Sequence, residues 1–234
     1  MLTCLPPVNT HHPRNAVMAR QLKICGLTQP TQAAAIAQLG VDAIGVIAAR
    51  PSARFVDTAL RPALWAAVGQ ANPSCSRVLV VVNPSDDELE CLGPEQGHQV
   101  LQLHGEETPE RCQQLRQDLG VQVWKALRIR SAEDLLQAEA YSAVVDGLLL
   151  DAWSESAHGG TGERLPLQWL QGFQPDLPWW LAGGLGPNNA RQALEQLEQQ
   201  GLKPRGLDAS SGVEQAPGWK DLQKVEALVK AVKG

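Results

Sequence analysis

The chain has 234 residues, of which 44% are hydrophobic and 19% charged, with a net charge of −5; this profile fits a soluble globular enzyme and excludes a disordered or collagen-like chain. Lys and Arg number 20 against 25 acids and form no basic stripe, so no nucleic-acid partner is expected. No apolar stretch approaches the roughly 20 residues that cross a bilayer, and no membrane partner is expected either.

The first twenty residues, MLTCLPPVNTHHPRNAVMAR, lack the apolar core of a signal peptide and read as a flexible leader. His11 and His12 within it read as part of a solvated tail. Residues 21–234 are expected to form one catalytic domain. The five cysteines (Cys4, Cys25, Cys75, Cys91 and Cys112) show no CxxC spacing, so neither a zinc ribbon nor a disulfide framework is indicated. The expected compartment is a reducing cytoplasm.

In chain order, eight strand-like runs recur: LKIC, AIGVIA, VLVVV, VLQL, VWKAL, GLLLD, WWLAG and RGLDA. Each is followed by a helix-like stretch, as from Pro30 to Gly40, after Pro84, after Pro109 and after Pro187. Proline suits a first helical turn and glycine a helix end. Strands alternating with helices predict a parallel sheet covered on both faces. Eight such units in a row predict closure into a single α/β domain of the (β/α)8 TIM-barrel type, a fold of about 250 residues. The first strand is followed by KICGLT and not by the GxGxxG turn of an open dinucleotide-binding sheet.

Alternate strand residues point inward in a barrel, so Lys23 and Cys25, Gln102 and His104, and Leu149 and Asp151 share the inner face. Chemistry in this fold sits at the C-terminal strand ends, where Cys25, His104, Asp151 and Asp208 fall. A thiol there serves as a base or nucleophile when a nearby positive charge favours the thiolate. A carboxylate after three leucines is costly to bury unless it is paired or functional, and Asp151 is the candidate acid.

Glycines gather from His158 to Gly162, Gly183 to Gly186 and Ser210 to Gly212, after the sixth, seventh and eighth strands. Backbone N–H groups of such loops bind phosphate in barrel enzymes, so a phosphate-bearing ligand is expected. Arg54 is a candidate carboxylate clamp, and Arg50 close by could do the same work. Trp153, in the loop after Asp151, is a candidate for stacking on an aromatic ligand.

The motifs KICGLT, GVDAIGVI, LQLHGEE, LLLDA with GGTGE, LAGGLGPNN and DASSGVEQAPGWKD occur together and in this order. Through them the chain, from about Gln21 onward, resembles the phosphoribosylanthranilate isomerase family of tryptophan biosynthesis. The resemblance implies an Amadori rearrangement of N-(5′-phosphoribosyl)anthranilate with no cofactor and no metal. It makes Asp151 the general acid that opens the ribose ring and Cys25 the general base that removes the C2′ proton. It assigns Arg54 to the anthranilate carboxylate. Gly160, Gly162, Gly183, Gly184, Ser211 and Gly212 would hold the phosphate, with Gln102, His104 and Asp208 as supporting wall residues. A barrel of this size is expected as a monomer or a homodimer.

Two rival readings remain at this level. Another phosphate-binding barrel, such as indole-3-glycerol-phosphate synthase or a histidine-pathway sugar isomerase, would favour a lysine-rich mouth or an aspartate ending the first strand. A noncatalytic phosphate-ligand binder would keep the barrel without turnover.

Overall fold

The computed structural model describes residues 19–152 and 164–234. Most of the leader, with His11 and His12, lies outside them, as do Trp153, Gly160 and Gly162. Eight parallel strands close on themselves in sequence order: β1 (Gln21–Cys25), β2 (Ala43–Ile47), β3 (Ser76–Val81), β4 (Val100–Leu103), β5 (Gln122–Ile129), β6 (Gly147–Ala152), β7 (Trp179–Leu181) and β8 (Gly206–Ala209). Every strand foreseen from its apolar run is present, and β8 pairs with β1 in a register that sets Asp208 beside Lys23.

Period-two alternation divides the apolar residues into two cores. One face of each strand, with Leu22, Ile24, Ile44, Leu79 and Leu101, packs outward against the helices. The helices supply Ile36, Leu64, Val68, Leu115, Leu194 and Leu228 to the same cluster. Burying each such side chain contributes about 1.5–3 kcal/mol. The other face fills the barrel with Val78, Val80, Val100, Leu149 and a stacked pair, Trp124 and Trp180, with ring centroids 4.1 Å apart. Gly147 makes room for that pair, since a Cβ there would lie 2.7 Å from the Trp180 ring.

The outer layer contains α1 (Pro30–Gln38), α2 (Arg61–Ala71), α3 (Pro109–Leu119), α4 (Ala138–Tyr141), α5 (Ala190–Gln199) and α6 (Leu222–Lys233). Local chemistry fixes the ends of α3: the Thr108 hydroxyl accepts from the Arg111 N–H, and Gly120 closes the helix at φ 62°. Asp221 caps α6 in the same way, accepting from the N–H groups of Gln223 and Lys224.

The alternation of strand and helix is incomplete. The stretch after Pro84 is a 3₁₀ segment, Asp86–Cys91, and the described residues between β6 and β7 hold only a 3₁₀ turn, Leu167–Leu170. Glycine and proline cut both stretches short, through Gly93 and Pro94 in the first and Pro166, Gly172 and Pro175 in the second. A feature not foreseen is the antiparallel hairpin after β8, formed by β9 (Glu214–Ala216) and β10 (Trp219–Lys220). No described helix is long and apolar enough to cross a membrane.

Candidate active site

A cleft of about 830 Å³, counting its open mouth, lies at the C-terminal ends of the strands. Cys25, Arg54, Gln102, His104, Asp151, Gly183, Gly184, Asp208 and Ser211 all line it. These side chains come from six different strands or the loops that follow them, and the barrel closure brings them together. Arg50 does not line the cleft: its guanidinium stacks over the Phe55 ring, 5.3 Å from the centroid. Of the two arginines, Arg54 faces the cavity.

Cys25 is nearly buried, at 6% exposure, with its sulfur at the floor of the cleft. Directly opposite in register is Gly45, where a Cβ would stand 2.7 Å from the sulfur. Burial pushes the Cys25 thiol up from its ordinary value, while the Lys23 ammonium pulls the other way. Lys23 is wholly buried and donates to Asp208 Oδ1 at 2.8 Å. Burial works against that ammonium, yet the neighbouring carboxylate prevails and holds it above the usual lysine value.

Asp151, next to last in β6, has only 7% of its surface exposed. His104 Nε2 stands 3.3 Å from Asp151 Oδ2, without an aligned hydrogen bond, and His104 Nδ1 lies 3.0 Å from the Gln102 amide nitrogen. Gln102, His104 and Asp151 thus form a row from the end of β4 to the end of β6. On its other side Asp151 meets Gly183, whose φ of 87° suits glycine, and whose Cβ position would lie 3.2 Å from Oδ1.

The glycines of the last two loops do two different things. Gly183 and Gly184 line the cleft with backbone. Gly212 does not line it; it lets the loop after β8 pass against the loop after β7, where any Cβ would lie 2.1 Å from the Leu185 carbonyl oxygen. Ser211 opens a single 3₁₀ turn, Ser211–Val213, at that contact.

Two charged residues to which the sequence assigned no role, Glu214 and Lys220, support the site around Arg54. Arg54 donates through Nε and Nη2 to the two oxygens of Glu214, at 2.8 and 2.7 Å. Lys220, buried in β10, donates to Glu214 Oε1 at 2.7 Å and also to the carbonyl and hydroxyl of Ser210. Ser210 in turn donates to the Cys25 carbonyl. Burial alone would raise the Glu214 carboxyl, but Arg54 and Lys220 bring it down to about 2. Burial lowers Lys220 from its ordinary value, with Glu214 opposing. Gly26 completes the arrangement: a Cβ there would lie 2.5 Å from Arg54 Cδ, so the glycine of KICG is where the arginine stem passes the chain just after β1. The signal for Glu214 and Lys220 was their place in SSGVEQAPGWKD, but nothing local told which partner either would take.

Comparison with known proteins agrees with this architecture. The profile of the family described as N-(5'phosphoribosyl)anthranilate (PRA) isomerase matches residues 22–231. The chain is 49% identical over 212 residues to the N-(5'-phosphoribosyl)anthranilate isomerase of Synechococcus elongatus, covering 90% of this chain and 95% of the relative. Among solved structures, phosphoribosyl anthranilate isomerase from Thermotoga maritima superposes with a TM-score of 0.80 at 27% identity, over 92% of this chain and 99% of that one. A phosphoribosyl anthranilate isomerase in complex with reduced 1-(o-carboxyphenylamino)-1-deoxyribulose 5-phosphate superposes with a TM-score of 0.74 at 28% identity, over 92% and 99% of the two chains. The chain belongs to the N-(5'-phosphoribosyl)anthranilate isomerase family, enzymes of tryptophan biosynthesis.

Proposed function

We propose that this chain converts N-(5′-phosphoribosyl)anthranilate to 1-(2-carboxyphenylamino)-1-deoxyribulose 5-phosphate by an Amadori rearrangement, with Asp151 as general acid and Cys25 as general base. The observation that carries the assignment is that these two side chains, three strands apart around the barrel wall, open on one cleft. Asp151 gives its proton to the ribose ring oxygen. The C1′–O bond breaks, and the nitrogen lone pair forms a protonated Schiff base. That cation acidifies C2′–H, so a thiolate can take the proton. The C–H electrons become the C1′=C2′ bond of an enolamine, which loses its C2′ hydroxyl proton as C1′ gains one.

C2′ is oxidised while C1′ is reduced within one molecule, so the rearrangement consumes no external oxidant or reductant. Anchoring the two ends of the substrate leaves the sugar between acid and base. Arg54, on the β2 side, is suited to the anthranilate carboxylate. Backbone of Gly183 and Gly184 with Ser211, on the β7 and β8 side, is suited to the phosphate. Asp208, Gln102 and His104 fill the wall between, and Gly160 and Gly162 would extend the phosphate loop from a segment outside the described residues. The unbridged Cys25, Cys75, Cys91 and Cys112 fit a cytoplasmic enzyme. It would work as a monomer or homodimer, which sedimentation resolves.

The test follows the fluorescence of the anthranilate adduct. The wild-type chain should quench it, and Cys25→Ala and Asp151→Asn should each abolish the quenching while leaving the fold intact by circular dichroism. Full turnover in either variant removes that residue from its role, and a silent wild type favours a noncatalytic binder.

A further inference from the structure

We propose that Lys23 is a positioning residue for the proton-abstraction step: its ammonium, locked inside the barrel by Asp208, lies beneath the Cys25 sulfur and favours its thiolate. The idea rests on Cys25 being the base, and it adds how a thiol sunk in an apolar floor becomes one.

The setting makes a structural role for this lysine a poor explanation. Lys23 has no exposed surface, and the interior around it is built from Val78, Val80, Val100, Ala43 and the two stacked tryptophans. A buried ion pair in such a place is generally no more stabilising than apolar side chains of the same volume. A chain selecting only for a stable barrel gains nothing by keeping a charge there.

Geometry directs the charge at the sulfur. Lys23 and Cys25 are two residues apart on β1 and share its inward face. Both reach into the space left by Gly45: a Cβ at that position would lie 2.7 Å from the Cys25 sulfur and 3.2 Å from Lys23 Cε. The missing side chain of Gly45 therefore brings the end of the lysine stem and the thiol into one gap. Barrel closure pairs Lys23 with Asp208 in register, and the 2.8 Å hydrogen bond fixes the ammonium there.

The remaining charges around Cys25 divide in a consistent way. Asp208 from β8 opposes the thiolate, and Lys220 from β10 favours it. Arg54, from the loop after β2, and Lys220 are both held by Glu214. Asp151 from β6 and His104 from β4 line the same cleft. Among the cations, Lys23 shares the β1 inner face with the sulfur. It keeps its proton throughout and forms no bond to substrate; the proton removed from C2′ goes to sulfur alone.

The experiment measures the pH dependence of Cys25 alkylation by iodoacetamide, resolved by peptide mass spectrometry because Cys75 and Cys112 are buried and Cys91 is half-buried. Lys23→Met with Asp208→Asn removes both charges and leaves no unpaired ion. In that double variant the midpoint at Cys25 should rise by about one pH unit, which corresponds to about a tenfold loss of thiolate and of kcat near neutral pH. Asp208→Asn alone removes a charge that opposes the thiolate while Lys23 stays, and should move the midpoint down, so the gap between this variant and the double one measures Lys23. If the double variant fails to fold, Lys23→Met alone, whose midpoint should rise, decides. Midpoints that stay at the wild-type value overturn the role of Lys23, even with Cys25→Ala inactive. An active Cys25→Ala instead refutes the base assignment itself.

Discussion

Arg54 grips Glu214 with two parallel hydrogen bonds, 2.8 Å from Nε and 2.7 Å from Nη2, so the arginine at the cleft already holds a carboxylate of its own chain. Such bidentate pairs fix orientation as well as adding energy. The guanidinium is aimed by Glu214, Glu214 is held by Lys220, and Lys220 ties the group to Ser210 and hence to the backbone of Cys25. A carboxylate anchor and a base are thereby joined by one short chain of contacts. Substrate carboxylate would approach the guanidinium edge that Glu214 leaves open.

Loss of the aiming contact should show in binding before it shows in chemistry. Glu214→Ala is expected to raise KM about tenfold or more with kcat within about threefold, since hydrogen bonds to charged groups contribute about 1.5–3 kcal/mol. Steady-state fluorescence kinetics with the anthranilate adduct check this, and an equal fall in kcat with constant KM would contradict it.

Glu214 should also mark the acid stability of the fold. Its carboxyl sits at about 2 against an ordinary 4.5, a depressed value, so its contribution is fully present above pH 4.5 and disappears as pH falls toward 2. Thermal melts of wild type and Glu214→Gln should differ most near neutral pH and converge as the acid limb is crossed. A gap independent of pH would remove the carboxylate as its source.

The row formed by Gln102, His104 and Asp151 predicts an effect on the acid step. His104→Ala removes the ring 3.3 Å from the Asp151 carboxylate and should lower kcat about tenfold, which corresponds to about 1.4 kcal/mol lost from the placement of the acid, with KM little changed. Unaltered kcat would mean that Asp151 is held by other contacts.

Where the last two loops cross, space is the controlling quantity. Gly212→Ala puts a methyl 2.1 Å from the Leu185 carbonyl oxygen, a backbone atom that has no rotamer to relieve the clash. The expected cost is about 1–3 kcal/mol of stability, read as a drop in melting temperature, together with weaker competition by inorganic phosphate as the two loops part. Phosphate inhibition equal to the wild type would separate this crossing from the anion site.

Much of the barrel was legible in the sequence because its information is local. Each strand carries an apolar run, each inward residue lies two positions from the next, and rim residues such as Cys25, His104 and Asp151 follow from counting to a strand end. Helices were legible where a stretch ran on from an opening proline, as after Pro30, Pro109 and Pro187. They were not legible after β3 and β6, where the described residues form only short 3₁₀ segments among glycines and prolines.

What the linear chain determined by itself was the set of strands, the parity that sends Lys23, Cys25 and Asp151 inward, and the loops rich in glycine. Only the closed barrel decided partnership. Arg54 meets Glu214 across 160 positions and Lys23 meets Asp208 across 185. Periodicity tells a residue which face it occupies, but the neighbour on that face depends on how far each strand is staggered against the next when the sheet closes, and that stagger is set by the packing of the whole molecule.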